Sequence, residues 1–248
     1  VANLVLKRAD PRPIGFFTLE MSAEQISRRL LCTESGYSED DFYHNRNINI
    51  HKVTRAAAEL RKAPLFIDPT PALSSLELLA KARRMHQKHK VELVVIDYLQ
   101  LLRAERLSPS DNRQVEVQRI SGDIKALAKD LKIPVLVLAQ LNREVEKSAT
   151  GRPRLSHLRE SGAIEQDADI VAFLHRDRDP QKESAPEVQA QGLEAQLIIE
   201  KNRNGRTGIV DLLFFPRRML FSCKPRYDDK DMPRERPPPT EVARDEEA

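Results

Sequence analysis

The sequence predicts an α/β fold: a mostly parallel sheet flanked by helices, with an antiparallel hairpin near the C-terminal end. Three observations carry this reading. Short apolar runs, rich in β-branched residues and too short for helices, end on polar side chains: Ile14–Leu19 on Glu20, Leu93–Ile96 on Asp97 and Val135–Ala139 on Gln140. Between them lie segments with helix-capping boxes and helical spacing of apolar residues. Late in the chain, Asn204-Gly205 separates two strand-like runs, a strong signal for a tight hairpin turn.

Taken in order, Asp10-Pro11-Arg12-Pro13 is a turn leading into the first strand, after a stretch at 1–7 too short to be a stable helix alone. Ser22 with Gln25 forms a capping box that opens a helix to about Glu34, and Gly36 is a suitable stop. Tyr37 to Asn49 is polar and irregular, and a helix follows from Ile50 to Lys62. Leu65 to Asp68 reads as a strand and Pro69-Thr70-Pro71 as a loop. Ser74 with Glu77 opens another helix, carrying Lys81, Arg83 and Arg84 on its polar side. His86 and His89 lie one turn apart there, close enough to share a metal, but with no third ligand they read as a solvated face.

After Asp97, residues Arg103 to Arg113 form a charged loop. The best amphipathic signal comes next: Val117, Ile120, Ile124, Leu127 and Leu131 follow helical spacing, with Arg119, Lys125 and Lys129 off the stripe. A polar loop around Gly151-Arg152-Pro153 precedes a helical patch from Leu155 to Asp167 and a strand from Ile170 to Leu174. Arg176 to Gly192 is charged and aperiodic, a surface insertion. Ala195–Glu200, Gly208–Phe214 and Met219–Cys223 are consecutive strands.

The 248 residues suffice for one large domain with a proper core, expected over 11–226. Lys+Arg at 41 against Asp+Glu at 38 gives a net charge of +3, which permits nucleic acid without demanding it. No apolar run approaches the roughly 18 residues of a membrane span, and no signal peptide is evident. Cys32 and Cys223 match no metal-ligand spacing or disulfide framework and read as buried, reduced thiols of a cytoplasmic protein. Residues 227–248, with Arg234-Glu235-Arg236-Pro237-Pro238-Pro239, form a Pro- and charge-rich tail expected to be disordered.

If the sheet is parallel, Glu20, Asp97 and Gln140 lie along one edge, because parallel strands share the direction of their carboxyl ends. Ligands bind at such edges. Those residue types suit an NTPase: a base for water, a metal-holding carboxylate and an amide that senses the γ-phosphate. On the strand alone, Asp97 is either the magnesium-holding Asp of a Walker B strand or a cap of the turn that follows. The three residues are otherwise unrelated starts of loops.

Further runs make the pattern specific. TLEMSAEQ (Thr18 to Gln25), VVIDYLQLL (Val94 to Leu102), LAQLNREVE (Leu138 to Glu146), LRESGAIEQDAD (Leu158 to Asp169) and KNRNGRTG (Lys201 to Gly208) occur in that order. Together they resemble the C-terminal, RecA-like motor domain of DnaB-type replicative helicases, from about Val1 to Cys223. That resemblance implies a RecA-like P-loop NTPase core and an ATP-driven, 5′-to-3′ DNA helicase using ATP and Mg²⁺. It implies that Glu20 polarises the attacking water, Asp97 positions Mg²⁺ and Gln140 reports the γ-phosphate. Lys201 and Arg203 would reach the nucleotide of a neighbouring subunit in a homohexamer; without the resemblance they belong to an ordinary charged hairpin. Arg159, Glu160 and Gly162 would contact single-stranded DNA in the central channel, with the loop bearing Arg103, Arg106 and Arg113 a second candidate. Primase and a helicase loader are the implied partners.

The family's phosphate loop, G-x-x-x-x-G-K-[ST], does not occur in these 248 residues. By the resemblance, residues 1–10 are the remnant of the helix that follows it. The chain alone is therefore expected to bind ATP poorly and hydrolyse none. Two other readings stand beside the helicase motor: a non-catalytic RecA-like protein that binds DNA or a ring, and a RecA-like recombination or repair ATPase.

Overall fold

A computed structural model describes residues 11–44, 47–105, 112–142, 151–177 and 191–224, the side chains of 159–161 excepted. The expected helix remnant at 1–10, Arg106, residues 178–190 of the insertion and the tail at 227–248 lie outside the described residues. Strands β1 (Ile14–Thr18), β2 (Leu65–Asp68), β3 (Leu93–Asp97) and β4 (Val135–Val137) form a parallel sheet in the order β2-β1-β3-β4. A second, antiparallel sheet contains β5 (Ile170–His175), β6 (Leu193–Asn202), β7 (Gly208–Phe215) and β8 (Leu220–Cys223) in sequence order. The antiparallel part therefore extends beyond the hairpin around Asn204-Gly205. It takes in β5, whose direction no short apolar run can reveal.

Helix boundaries follow their caps. Helix α1 (Ala23–Ser35) begins with the Ser22–Gln25 box: the Ser22 hydroxyl accepts from the Gln25 N–H, and the Gln25 side chain accepts from the Ser22 N–H. It ends at Gly36, where φ is +76°, a left-handed turn that glycine adopts without a Cβ penalty. A one-turn helix, α2 (Glu39–Tyr43), occupies the stretch that the sequence reading leaves irregular. Its Ser38–Asp41 box has an Asp where Glu or Gln is usual, and five residues are too few for a periodic stripe. Then come α3 (Ile50–Lys62), α4 (Ser75–His89) and α5 (Arg113–Leu131). A 3₁₀ segment (Leu155–Ser161) runs into α6 (Gly162–Asp167).

The apolar stripe of α5 is the centre of the main core. Val117, Ile120, Ile124 and Leu127 are buried with Phe17, Leu78, Ile96 and Leu99, so this helix clamps β1, β3 and α4 together. A second cluster on the other side of the sheet joins Ile14, Phe16 and Val95 to Ile26 of α1. Strands β1 and β3 are thus covered on both faces, which is why they read as unbroken apolar runs.

Four expectations need correction. Strand β4 is not buried on both faces: Leu136 is 52% and Leu138 44% exposed. Among the described residues β4 pairs only with β3. An apolar cleft of about 760 Å³, lined by residues such as Val135, Val137, Ile124, Ile170 and Phe173, separates it from β5. The histidines of α4 are not a plain solvated face, since His86 Nδ1 lies 2.8 Å from the Val91 carbonyl and His89 stacks on Phe66 at 3.9 Å. Lys81 on the same helix turns inward to Asp68 at 2.7 Å and Thr70 at 2.8 Å. Cys32 is buried, and burial pushes its thiol pKa up, but Cys223 is exposed at the end of β8.

Because Ile120 is fully buried at the junction of α5 with the sheet, Ile120→Ala should cost about 2–5 kcal/mol of stability through lost transfer energy and a residual cavity. Urea unfolding of the two chains, compared at unchanged slope, checks this.

Candidate functional site

The parallel register brings the predicted strand ends together. Thr18 lies opposite Asp97 and Ile96 opposite Val137. Beyond the strands the pairing continues, with the Leu19 N–H donating to the Asp97 carbonyl and the Leu99 N–H to the Leu138 carbonyl, both at 2.9 Å. Glu20, Asp97 and Gln140 therefore occupy three adjacent strand ends on one edge of the sheet. The buried Thr18 hydroxyl donates to the Met21 carbonyl at 2.9 Å and accepts from the Met21 N–H at 3.1 Å. These two bonds close the turn that carries Glu20, and α1 starts directly behind it.

Asp97 has a carboxyl pKa raised above the usual range, first by burial, then by the negative charge of Glu20; Arg29 opposes the rise. A carboxyl that burial and a nearby negative charge make costly to ionise suits a divalent cation, which would reverse the sign of the local field. Among the described residues no group of three or more His, Cys, Asp or Glu could hold a metal by itself. The donor set fits Mg²⁺, which keeps several waters and takes one or two carboxylates plus phosphate oxygens.

Gln140 is anchored through its backbone. The Gln100 side chain accepts from the Gln140 N–H at 3.1 Å and donates to the Gln140 carbonyl at 2.9 Å. Gln140 is itself exposed at this edge. Gln100 is a site residue the sequence reading missed, although it stands three residues after Asp97 within the quoted VVIDYLQLL run. Asp68 is another: it ends β2 on the same edge, and its pKa is lowered by its bonds to Lys81 and Thr70 against the cost of burial.

Lys201 and Arg203 lie together but apart from this trio. The Lys201 ammonium donates to the Glu165 carbonyl and, at 3.5 Å, to that of Gln166. Arg203 donates to the Gln166 carbonyl at 2.5 Å and to the Asp169 carboxylate at 3.4 Å, and its N–H reaches the Asp169 carbonyl at 2.9 Å. Both cations thus satisfy the last carbonyls of α6, where the helix dipole favours positive charge. Asp169 also takes Lys125 at 2.6 Å, and these cations hold its pKa below the usual range. The closing residues of the LRESGAIEQDAD run are therefore the seat of the two basic residues, a relation that sequence spacing does not reveal.

Of the predicted DNA contacts, Arg159 and Glu160 lie on the 3₁₀ segment that leads into α6, their side chains outside the described residues. Gly162 opens α6 with ordinary helical angles, φ −49° and ψ −28°, and a Cβ built there would meet nothing within 4 Å. Open space beside the backbone, rather than an unusual conformation, distinguishes this glycine. Of the second candidate loop, Arg113 instead begins α5 and is engaged with Glu116 and with the Gln100 carbonyl at 2.6 Å. The Arg103 main chain is bonded to Leu73 and Ser75.

The raised pKa of Asp97 has a sign that can be tested. A carboxyl that binds its proton more tightly when folded makes stability fall as pH rises from the unfolded pKa through the folded one. Asp97→Asn removes that loss, so in chelator at pH 7.5 the variant should melt higher than the wild type, with a weaker dependence on pH above the usual carboxylate range. Adding Mg²⁺ should narrow the gap by stabilising only the wild type; thermal melts across pH check both effects.

With the geometry established, comparison with known proteins gives one consistent answer. A family model described as the DnaB-like helicase C-terminal domain matches residues 1–223. The Replicative DNA helicase DnaB of Geobacillus stearothermophilus is 40% identical over 223 residues, covering 89% of this chain and 48% of that protein. The Replicative DNA helicase DnaC of Bacillus subtilis (strain 168) is 39% identical over 237 residues, covering 94% and 50%. The chain spans about half the length of these curated relatives. Among solved structures, one described as an ATPase domain superposes with a TM-score of 0.75 at 31% identity, covering 86% of this chain and 75% of that one. A DnaB-like replicative helicase, whose structure was described with its interactions with primase, gives 0.73 at 32%, covering 85% and 50%. The fold is that of a RecA-like ATPase core, and the chain belongs to the DnaB-like helicase C-terminal domain family.

Proposed function

We propose that this chain is the motor portion of a replicative DNA helicase, an ATP-driven ring that moves 5′-to-3′ on single-stranded DNA and unwinds the duplex at the fork. The single observation that supports this reading most is the alignment of Glu20, Asp97 and Gln140 at adjacent ends of parallel strands, in a chain whose relatives are named replicative helicases.

Each residue then has a part that its surroundings favour. Glu20, on the turn closed by Thr18, orients a water molecule and takes its proton as that water attacks the γ-phosphate. Asp97 would hold Mg²⁺ through its waters, and the ion would supply positive charge to offset that of the phosphates. Gln140, with its backbone fixed by Gln100, presents its amide to the γ-phosphate. Lys201 and Arg203 serve the nucleotide held by the next subunit, since a finger has to enter from outside the site it completes. That arrangement calls for a ring, and by family likeness a homohexamer. Arg159, Glu160 and Gly162 face the DNA backbone, where contact with phosphates positions the strand without reading bases. Primase and a loader are the partners proposed for the intact protein, one solved relative having been described with primase.

Two tests follow. In the intact protein, Arg203→Ala should lower ATP turnover by about 10³–10⁵ while nucleotide binding persists; unchanged turnover would rule out a finger acting between subunits. The 248-residue chain by itself contains no G-x-x-x-x-G-K-[ST] loop and should show no Mg²⁺-dependent ATP turnover in a phosphate-release assay.

A further inference from the structure

Helix α5 is tied by polar bonds at two places that belong to different parts of the candidate site. At its first turn, Arg113 donates to the Gln100 carbonyl at 2.6 Å and pairs with Glu116, which accepts from the Ala104 N–H at 3.2 Å. Gln100 holds both main-chain groups of Gln140, at 3.1 and 2.9 Å. Those two partners also decide the orientation of the amide, because an N–H needs its oxygen and a carbonyl its nitrogen. Farther along, Ser121 donates to Asp167 and Lys125 to Asp169, each at 2.6 Å. Asp169 shares the seating of Arg203 with the Gln166 carbonyl (2.5 Å), bonding it through its carboxylate at 3.4 Å and its carbonyl at 2.9 Å.

From Arg113 to Lys125 the helix advances about 18 Å. Val117, Ile120 and Ile124 lie between the two ties and are buried in the main core. A regular helix packed on one face moves as a body, so a displacement at one tie is passed to the other rather than absorbed between them.

We propose that α5 is a rigid tie that sets the main-chain position of Gln140 and the seating of Arg203 together, with Gln100 and Asp169 as the positioning residues at its two ends. The proposal rests on the reading of Gln140 and Arg203 as nucleotide-facing groups. It adds a physical route by which one subunit's γ-phosphate contact and the finger it offers to its neighbour are kept in step.

The test is a double-mutant cycle in the intact protein, read as single-stranded-DNA-stimulated ATP turnover. Gln100→Met and Asp169→Asn should each lower kcat about tenfold, with nucleotide KM within about threefold. The double variant should be little worse than either alone. Sites this far apart ordinarily combine independently to within about twofold, so a double variant near a hundredfold would overturn the tie. A second arm uses this chain without nucleotide: Ser121→Ala combined with Lys125→Met, which removes both side-chain bonds of the distant tie, should speed hydrogen exchange of the Gln140 amide about fivefold or more. Unchanged exchange there overturns the tie. A wild-type protein without ATP turnover would instead sink the nucleotide reading, leaving the exchange arm to decide on the tie.

Discussion

The site depends on one hydrogen-bond register. Strand β3 sits between β1 and β4, all three parallel, with Thr18 level with Asp97 and Ile96 level with Val137. A slip of one residue between any pair would turn the strand-end side chains to the other face and separate the groups that now meet. The register is held by burial on both sides of β1 and β3, where Ile14, Phe17, Val94 and Ile96 are fully enclosed. Hydrophobic packing beneath the edge therefore sets the geometry of the polar groups on it.

Charge is divided unevenly over this frame. Asp97 resists ionisation, first because it is partly buried and then because of the negative charge of Glu20, with Arg29 opposing. Lys201 and Arg203 are gathered instead on the carbonyls at the end of α6. The two sets of charge thus sit on different parts of the fold, the cations already bonded to protein oxygens.

Helix α5 reconciles these parts. Its apolar stripe anchors the sheet, and its polar flank bonds to Gln100 near one end and to Asp167 and Asp169 farther along. The helix whose apolar stripe forms the main core is thus also the element that touches both groups of candidate residues.

The sequence by itself determined the α/β class, the alternation of strands and helices and the polar ends of three strands. These rest on local physics: apolar runs seek the core, Ser22 and Ser74 cap helices, and Asn204-Gly205 makes a turn. Only the tertiary structure decided who pairs with whom. It placed β4 where one face of Leu136 stays exposed, moved β5 into the antiparallel sheet, and turned Lys81 inward to Asp68. It joined Gln100 to Gln140 across 40 residues and Asp169 to Arg203 across 34. Such contacts form between side chains far apart in the chain, with no spacing rule to announce them, so they become legible only once the packed core has fixed every strand in its place.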